Sequence, residues 1–301
     1  MQPRRILVTG SAGFVGGHLL PALRGAYPEA ALTGLAADVT DAAAVRAEIA
    51  AVQPDALVHL AAIAAIQDAR QNPDLAWQVN LYGTLNVARA VLAEVPGCTM
   101  LFASTADLYG ATFRTGVALN EDAALAPLNT YAATKAAADL ALGAMAAEGL
   151  RVIRVRPFNH TGPGQSNSFV VPAFARQVAL IAAGQQEPVL RVGSLSPLRD
   201  FLDVRDVCAG YAMCLGVELA PGTVLNLASG VARRVGDVLA DLLALAGIVA
   251  EVRADAARVR PTDIPAATGD SGRARAALGW APVIPWERTL RDVLEDWRAQ
   301  V

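Results

Sequence analysis

Arg5-Ile6-Leu7-Val8-Thr9-Gly10-Ser11-Ala12-Gly13-Phe14-Val15-Gly16 passes from an unbroken apolar run into glycines spaced three apart, and an apolar stretch from His18 to Leu23 follows. A short run with no polar alternation reads as a strand buried on both faces, as in a parallel sheet. Glycine at 10, 13 and 16 permits, in turn, a tight turn, close approach of backbone to a pyrophosphate, and close packing of the helix. That helix's N-terminus supplies unpaired N–H donors for an anion. The stretch therefore predicts a strand, a phosphate-binding turn and a helix, the first unit of an α/β fold with a doubly wound, mostly parallel sheet. His18 falls on the helix face and not among the catalytic candidates.

The next strand is predicted at Ala31-Leu32-Thr33-Gly34-Leu35, with Asp38-Val39-Thr40-Asp41 capping a helix from Ala42 to about Val52. An acid ending this strand would bind a ribose 2'-hydroxyl, and an arginine would accept a 2'-phosphate. Thr33, Gly34, Leu35 and Ala36 are neither, so NAD and NADP both stay open and discrimination between them is expected to be weak. Asp38 reads either as an adenine contact or as a turn residue. Ala56 to Ala62 gives a buried strand and a small-residue exit, where Leu60, Ala61 and Ala62 let a cofactor lie across the sheet edge. His59 within it is expected to be a satisfied core imidazole. Pro73 to Glu94 reads as one long helix containing Asn80, Gly83 and Thr84, with Gly83 admitting close helix packing.

Thr99 to Ala103 is a further strand, and Ser104-Thr105-Ala106-Asp107 leaves its C-terminal end, the edge at which open parallel sheets bind ligands. Pro127 to Thr130 then caps an Ala-rich helix that opens on Tyr131-Ala132-Ala133-Thr134-Lys135. Residues four apart lie on one helical face, about a turn from each other. A phenol titrating near ~10 needs roughly 4 kcal/mol to ionise at neutral pH, and an adjacent ammonium favours the phenolate. Tyr131 with Lys135 is therefore a candidate acid–base pair, and the Thr105 hydroxyl a candidate partner for the reacting carbonyl oxygen. Strands are predicted further on at Arg151 to Arg156, Val189 to Gly193 and Val224 to Leu227, and helices at Phe169 to Ala183 and Val235 to Ala246.

The chain is 301 residues long, enough for a main domain and a smaller one. Its formal charge of -3 offers no general attraction to nucleic acid or an anionic membrane. Mean hydropathy is +0.36, much of it alanine, and the apolar runs are too short to span a bilayer. With no room for a signal peptide before Ile6, a cytoplasmic location is expected. Cys98, Cys208 and Cys214 are too scattered for a disulfide framework or a metal site and are expected to be core thiols.

Taken together, Gly10-x-x-Gly13-x-x-Gly16, His59-Leu60-Ala61-Ala62, Asn80-x-x-Gly83-Thr84, Ser104 to Gly110 and Tyr131-x-x-x-Lys135 resemble the extended short-chain dehydrogenase/reductases acting on nucleotide sugars. Arg156-Pro157-Phe158-Asn159-His160-Thr161-Gly162-Pro163-Gly164-Gln165 is similar to the GDP-mannose 4,6-dehydratase and GDP-4-keto-6-deoxy-D-mannose reductase branch. The resemblance implies a Rossmann domain over 1–163 and 200–230 and a nucleotide-sugar domain over 164–199 and 231–301. It implies Thr105, Tyr131 and Lys135 as catalytic. NADP or NAD would be held by Gly10, Ala12, Gly13, Phe14, Val15 and Gly16 around the turn. Asp38, Val39, Leu60, Ala61, Ala62, Asn80, Tyr131, Lys135 and Pro157 would complete the cofactor site. Asp107, Asn159, Val192, Arg199 and Arg260 would meet the GDP-sugar. A homodimer through the Tyr131 helix and the helix around Asn80 to Ala93 is also implied. The expected reaction is reduction of a C4 ketone, with 4,6-dehydration, 4-epimerisation or a non-catalytic NAD(P)-binding regulator as competitors. Asp107 stands where similar dehydratases carry a glutamate, one methylene longer, which favours reduction.

Overall fold

The computed structural model describes residues 2–255 and 264–301. Strand β1 (Arg5–Thr9) leads into helix α1 (Phe14–Ala26), followed by β2 (Ala31–Gly34), α2 (Ala42–Val52) and β3 (Ala56–His59). Helices α3 (Ile66–Gln71), α4 (Pro73–Trp77) and α5 (Thr84–Glu94) precede β4 (Thr99–Ala103), and α6 (Thr130–Ala147) precedes β5 (Val152–Pro157). Next come β6 (Asn159–Thr161), α7 (Val170–Ala182), β7 (Val189–Val192), β8 (Leu198–Asp203), α8 (Val204–Gly216) and β9 (Val224–Leu227). The chain closes with β10 (Ala232–Arg234), α9 (Val235–Ala246), β11 (Glu251–Ala254), β12 (Ala266–Ala267), α10 (Gly272–Leu278) and α11 (Trp286–Arg298).

The main sheet runs β2-β1-β3-β4-β5-β9, parallel at every pairing, as the apolar runs predict. Because side chains alternate across a strand, Ile6 and Val8 enter one core with Leu19 and Leu23 of α1 and Val207 and Tyr211 of α8. Leu7 enters the opposite core with Ile49 of α2, Val91 of α5 and Leu142 of α6. The sheet is thus doubly wound. β2 lies on one side of β1 and β3 on the other, so the crevice between the exits of β1 and β3 is the place where such sheets take a ligand.

A third core gathers Phe174 and Val178 of α7, Leu239 and Leu242 of α9, and Leu290 and Val293 of α11. β8 pairs with β6, β10 and β12, while β7 pairs with β11. Ala274 of α10 and Trp280 pack back into the core of the main sheet, although they lie within 231–301.

The segment from Pro73 to Glu94 is not the single regular helix expected. Between α4 and α5, residues Gln78–Gly83 form a π-helical turn, a device that adds a residue and re-aims side chains. Gly83 serves a close approach, but to a loop and not a helix: a Cβ there would come 2.7 Å from Cγ2 of Val39.

Candidate active site

The glycine turn is pressed against the exit of β3. Gly10 has φ +67, and a Cβ on it would lie 2.9 Å from the Ala61 amide nitrogen. Any side chain would strain the backbone and part the two strand ends. Gly13 then takes the N-cap position of α1 without a side-chain hydrogen bond, no acid stands in the first turn, and Ala12 and Gly13 are exposed. An uncapped N-terminus with glycine-thin walls fits the pyrophosphate of a dinucleotide. Phe14 and Val15 form the first turn, and Gly16 is buried beneath it.

Beside this turn, the Thr9 hydroxyl accepts the Leu60 and Ala61 amides at 3.2 and 3.0 Å and bonds His59 Nδ1 at 2.7 Å. Thr84 donates its hydroxyl proton to the Asn80 carbonyl at 2.7 Å, so it accepts from His59 Nε2 at 2.9 Å. Burial, then the nearby Lys135 charge, pushes His59 down to about 3. It is the satisfied neutral core imidazole expected, and it braces the edge at which Leu60, Ala61 and Ala62 are half-buried.

On the other side of the crevice, Asn129 caps α6 by accepting the Ala132 amide at 2.9 Å, and Tyr131 follows in the first turn. Thr105 caps a 3₁₀ segment, Ala106–Thr115, its hydroxyl accepting the Asp107 amide at 3.2 Å, and it neighbours the Tyr131 phenol. Burial, then the Asp107 carboxylate, raises the phenol above its ordinary 10.0, against a smaller opposing effect of the Thr105 bond. The expected support of the phenolate by Lys135 is not the arrangement found. Lys135 is 3% exposed, donates to the Ala103 carbonyl at 2.6 Å and sits 4.1 Å from the Phe102 ring centroid. Burial brings its pKa down to about 7, with Asp139 acting in the opposite sense.

The family model described as GDP-mannose 4,6 dehydratase matches residues 23–293. The chain belongs to that family. It is 36% identical over 301 residues to GDP-6-deoxy-D-mannose reductase of Pseudomonas aeruginosa, covering 99% of this chain and 98% of that one. It is 29% identical over 285 residues to GDP-6-deoxy-D-talose 4-dehydrogenase of Aggregatibacter actinomycetemcomitans, with 91% of each chain covered. Among solved structures, RMD from Pseudomonas aeruginosa complexed with NADPH superposes with a TM-score of 0.92 at 35% identity, covering 99% of this chain and 100% of that one.

Within this family member, Thr105, Asp107, Tyr131 and Lys135 converge at one edge, and the other expected site residues have partners of their own. Asn80 is fully enclosed: its side chain accepts the Ile63 amide at 2.8 Å and donates to the Ile63 carbonyl at 3.2 Å and the Thr134 hydroxyl at 3.0 Å. It fixes the loop after β3. Val192 is 2% exposed in the third core and its carbonyl accepts the Asp255 amide at 2.8 Å, so neither its side chain nor that carbonyl is presented to a sugar. Asp38 takes the turn role, accepting the Thr40 amide and hydroxyl at 2.9 and 2.8 Å. Val39 is buried beside Gly83, Pro157 ends β5 in the interior, and Asn159 is exposed at the start of β6. Arg199 donates to the Leu198 and Ile264 carbonyls at 2.8 and 2.7 Å. Arg260 lies outside the described residues.

Two features went unread in the sequence. Asp139, one turn beyond Lys135, is fully buried and accepts from Arg154, Arg156 and Ser104. Its spacing of four from Lys135 was the available signal, whereas its arginine partners come from β5. The other is a scarcity: Lys135 is the sole lysine in the chain, every other one of the 25 basic residues being arginine. Among the described residues no cluster of His, Cys, Asp and Glu is suited to a metal, and the three cysteines are buried and free.

Proposed function

We propose that the chain reduces the C4 ketone of a GDP-4-keto-6-deoxy-hexose at the expense of NADPH or NADH, giving a 6-deoxy-D-mannose or 6-deoxy-D-talose type product. The carrying observation is the place of the Tyr131 phenol, in the first turn of α6 beside Thr105 at the exit of β4. A ketone becoming an alkoxide requires such an acid. The bound nicotinamide supplies the hydride. Thr105 then positions the ketone oxygen, Tyr131 delivers its proton to that oxygen, and Lys135 holds the Ala103 carbonyl and thereby the exit of β4. Likeness along the whole chain to a GDP-6-deoxy-D-mannose reductase supports the sugar and the direction of reaction.

The test incubates pure protein with GDP-mannose, and separately with its 4-keto-6-deoxy derivative plus NADH or NADPH, and identifies products by mass and NMR. Oxidation of the nicotinamide is expected with the ketone only. Asp107→Asn should keep most of this activity, because reduction needs no base to take a proton from C5, and a base must sit within about 3 Å to do so. Formation of the 4-keto-6-deoxy sugar from GDP-mannose without added reductant, abolished in Asp107→Asn, would establish dehydration instead. No turnover across a panel of nucleotide sugars would leave a regulatory binding protein.

In this reading the dinucleotide is held by 1–163 and 200–230 and the GDP-sugar by 164–199 and 231–301. The location is the cytoplasm, where both small molecules are available. No described helix is long and apolar enough to cross a membrane. The working unit is a homodimer. Leu75 of α4, Tyr82 of the π-helical turn and Leu140 of α6 are 47%, 58% and 59% exposed, apolar surface on the helices expected to pair. Sedimentation should show a dimer at assay concentration and a monomer for Leu140→Glu; a monomeric wild type would refute the pairing.

A further inference from the structure

A dinucleotide-binding sheet reads the adenosine ribose just beyond its second strand, with an acid for a 2'-hydroxyl or a cation for a 2'-phosphate. Residues 33 to 36 carry neither, yet a carboxylate reaches this place from another element. Glu48, midway along α2, accepts the Ala36 amide on one oxygen and the Ala37 amide on the other, each at 2.8 Å. The tip it grips adjoins the glycine turn. A Cβ on Gly34 would lie 2.4 Å from Ser11 Oγ, and the Leu35 amide donates to the Val8 carbonyl at 2.9 Å. Arg46, the cation closest to Glu48 along α2, is drawn off by Glu94 of α5 at 2.5 Å.

We propose that Glu48 reads the 2'-position of the cofactor and excludes a 2'-phosphate, making the chain selective for NAD(H). The two N–H groups that would otherwise hold a phosphate are already satisfied. The carboxylate repels an incoming dianion, while each of its oxygens keeps a lone pair for a ribose hydroxyl. Selectivity thus combines a retained attraction for one dinucleotide with a built-in repulsion of the other. This inference rests on the dinucleotide-binding part of the proposed function, and it departs from the weak discrimination expected of residues 33 to 36 alone. The likeness to a structure containing NADPH makes the outcome discriminating.

The test is calorimetric titration of NAD+ and NADP+ into wild type, Glu48→Gln and Glu48→Ala at one ionic strength, without sugar. Wild type should bind NAD+ at least ~10-fold more tightly, and both variants should narrow that ratio ~10-fold, mainly by tightening NADP+. Wild type that binds NADP+ as tightly as NAD+ overturns the inference. So does an unchanged ratio in folded variants, which would leave Glu48 as a loop clasp only. Failure confined to the ratio leaves the oxidoreductase reading standing, whereas absence of binding by either dinucleotide removes both.

Discussion

Tyr131→Phe is expected to lower kcat for ketone reduction by at least ~10²-fold while leaving dinucleotide affinity nearly unchanged. The substitution keeps the ring on α6 and removes only the proton to be transferred. Thr105 is a poor replacement, because an aliphatic hydroxyl is a far weaker acid than a phenol. The Lys135 ammonium is engaged with the Ala103 carbonyl at 2.6 Å. Single-turnover reduction measured beside cofactor titration separates the two effects. Turnover close to wild type would remove Tyr131 from the chemistry.

The second large effect is on stability: Asp139→Ala should cost about 3–5 kcal/mol near pH 7, the range for removing one partner of a buried ion pair. Asp139 accepts from Arg156 Nη2 at 2.8 Å, Arg154 Nη1 at 3.0 Å and Ser104 Oγ at 2.7 Å. Without it, Arg156, whose side chain is 5% exposed, keeps only the Tyr109 hydroxyl and the Glu121 carbonyl. Burial works to raise the Asp139 pKa, but the bond and charge of Arg156, with Ser104 and Arg154, hold it below 3.8. A depressed carboxyl contributes stability that is present above the unfolded pKa and lost as pH falls through the folded one. Urea unfolding should therefore show the widest gap between wild type and variant near neutrality, closing in acid below about pH 4. An unchanged midpoint at pH 7 would show the cluster to be energetically idle.

Local order made much of this legible from residues alone. Short apolar runs without alternation, bounded by turn residues, read as strands buried on both faces, glycines spaced three apart after β1 read as serving the backbone, and spacings of four place side chains on one helical face. Direction across space was not legible. Nothing between Tyr131 and Lys135 says that the ammonium will choose the Ala103 carbonyl, because β4 comes alongside only once the sheet has formed. Asn80 and Val192 sit in segments resembling binding motifs, but their enclosure in the π-helical turn and the third core depends on chain brought in from elsewhere. Glu48 is separated from Ala36 by a loop and half a helix, and no pattern in residues 33 to 36 points to it.

The burial of Lys135 reaches beyond the reaction. A chain whose sole ε-amino group is 3% exposed offers no lysine to amine-directed reagents while folded, so resin coupling and cross-linking through surface lysines are closed to it. Acylation at that nitrogen instead marks molecules that have opened, and a single mass increment on one peptide becomes a count of them.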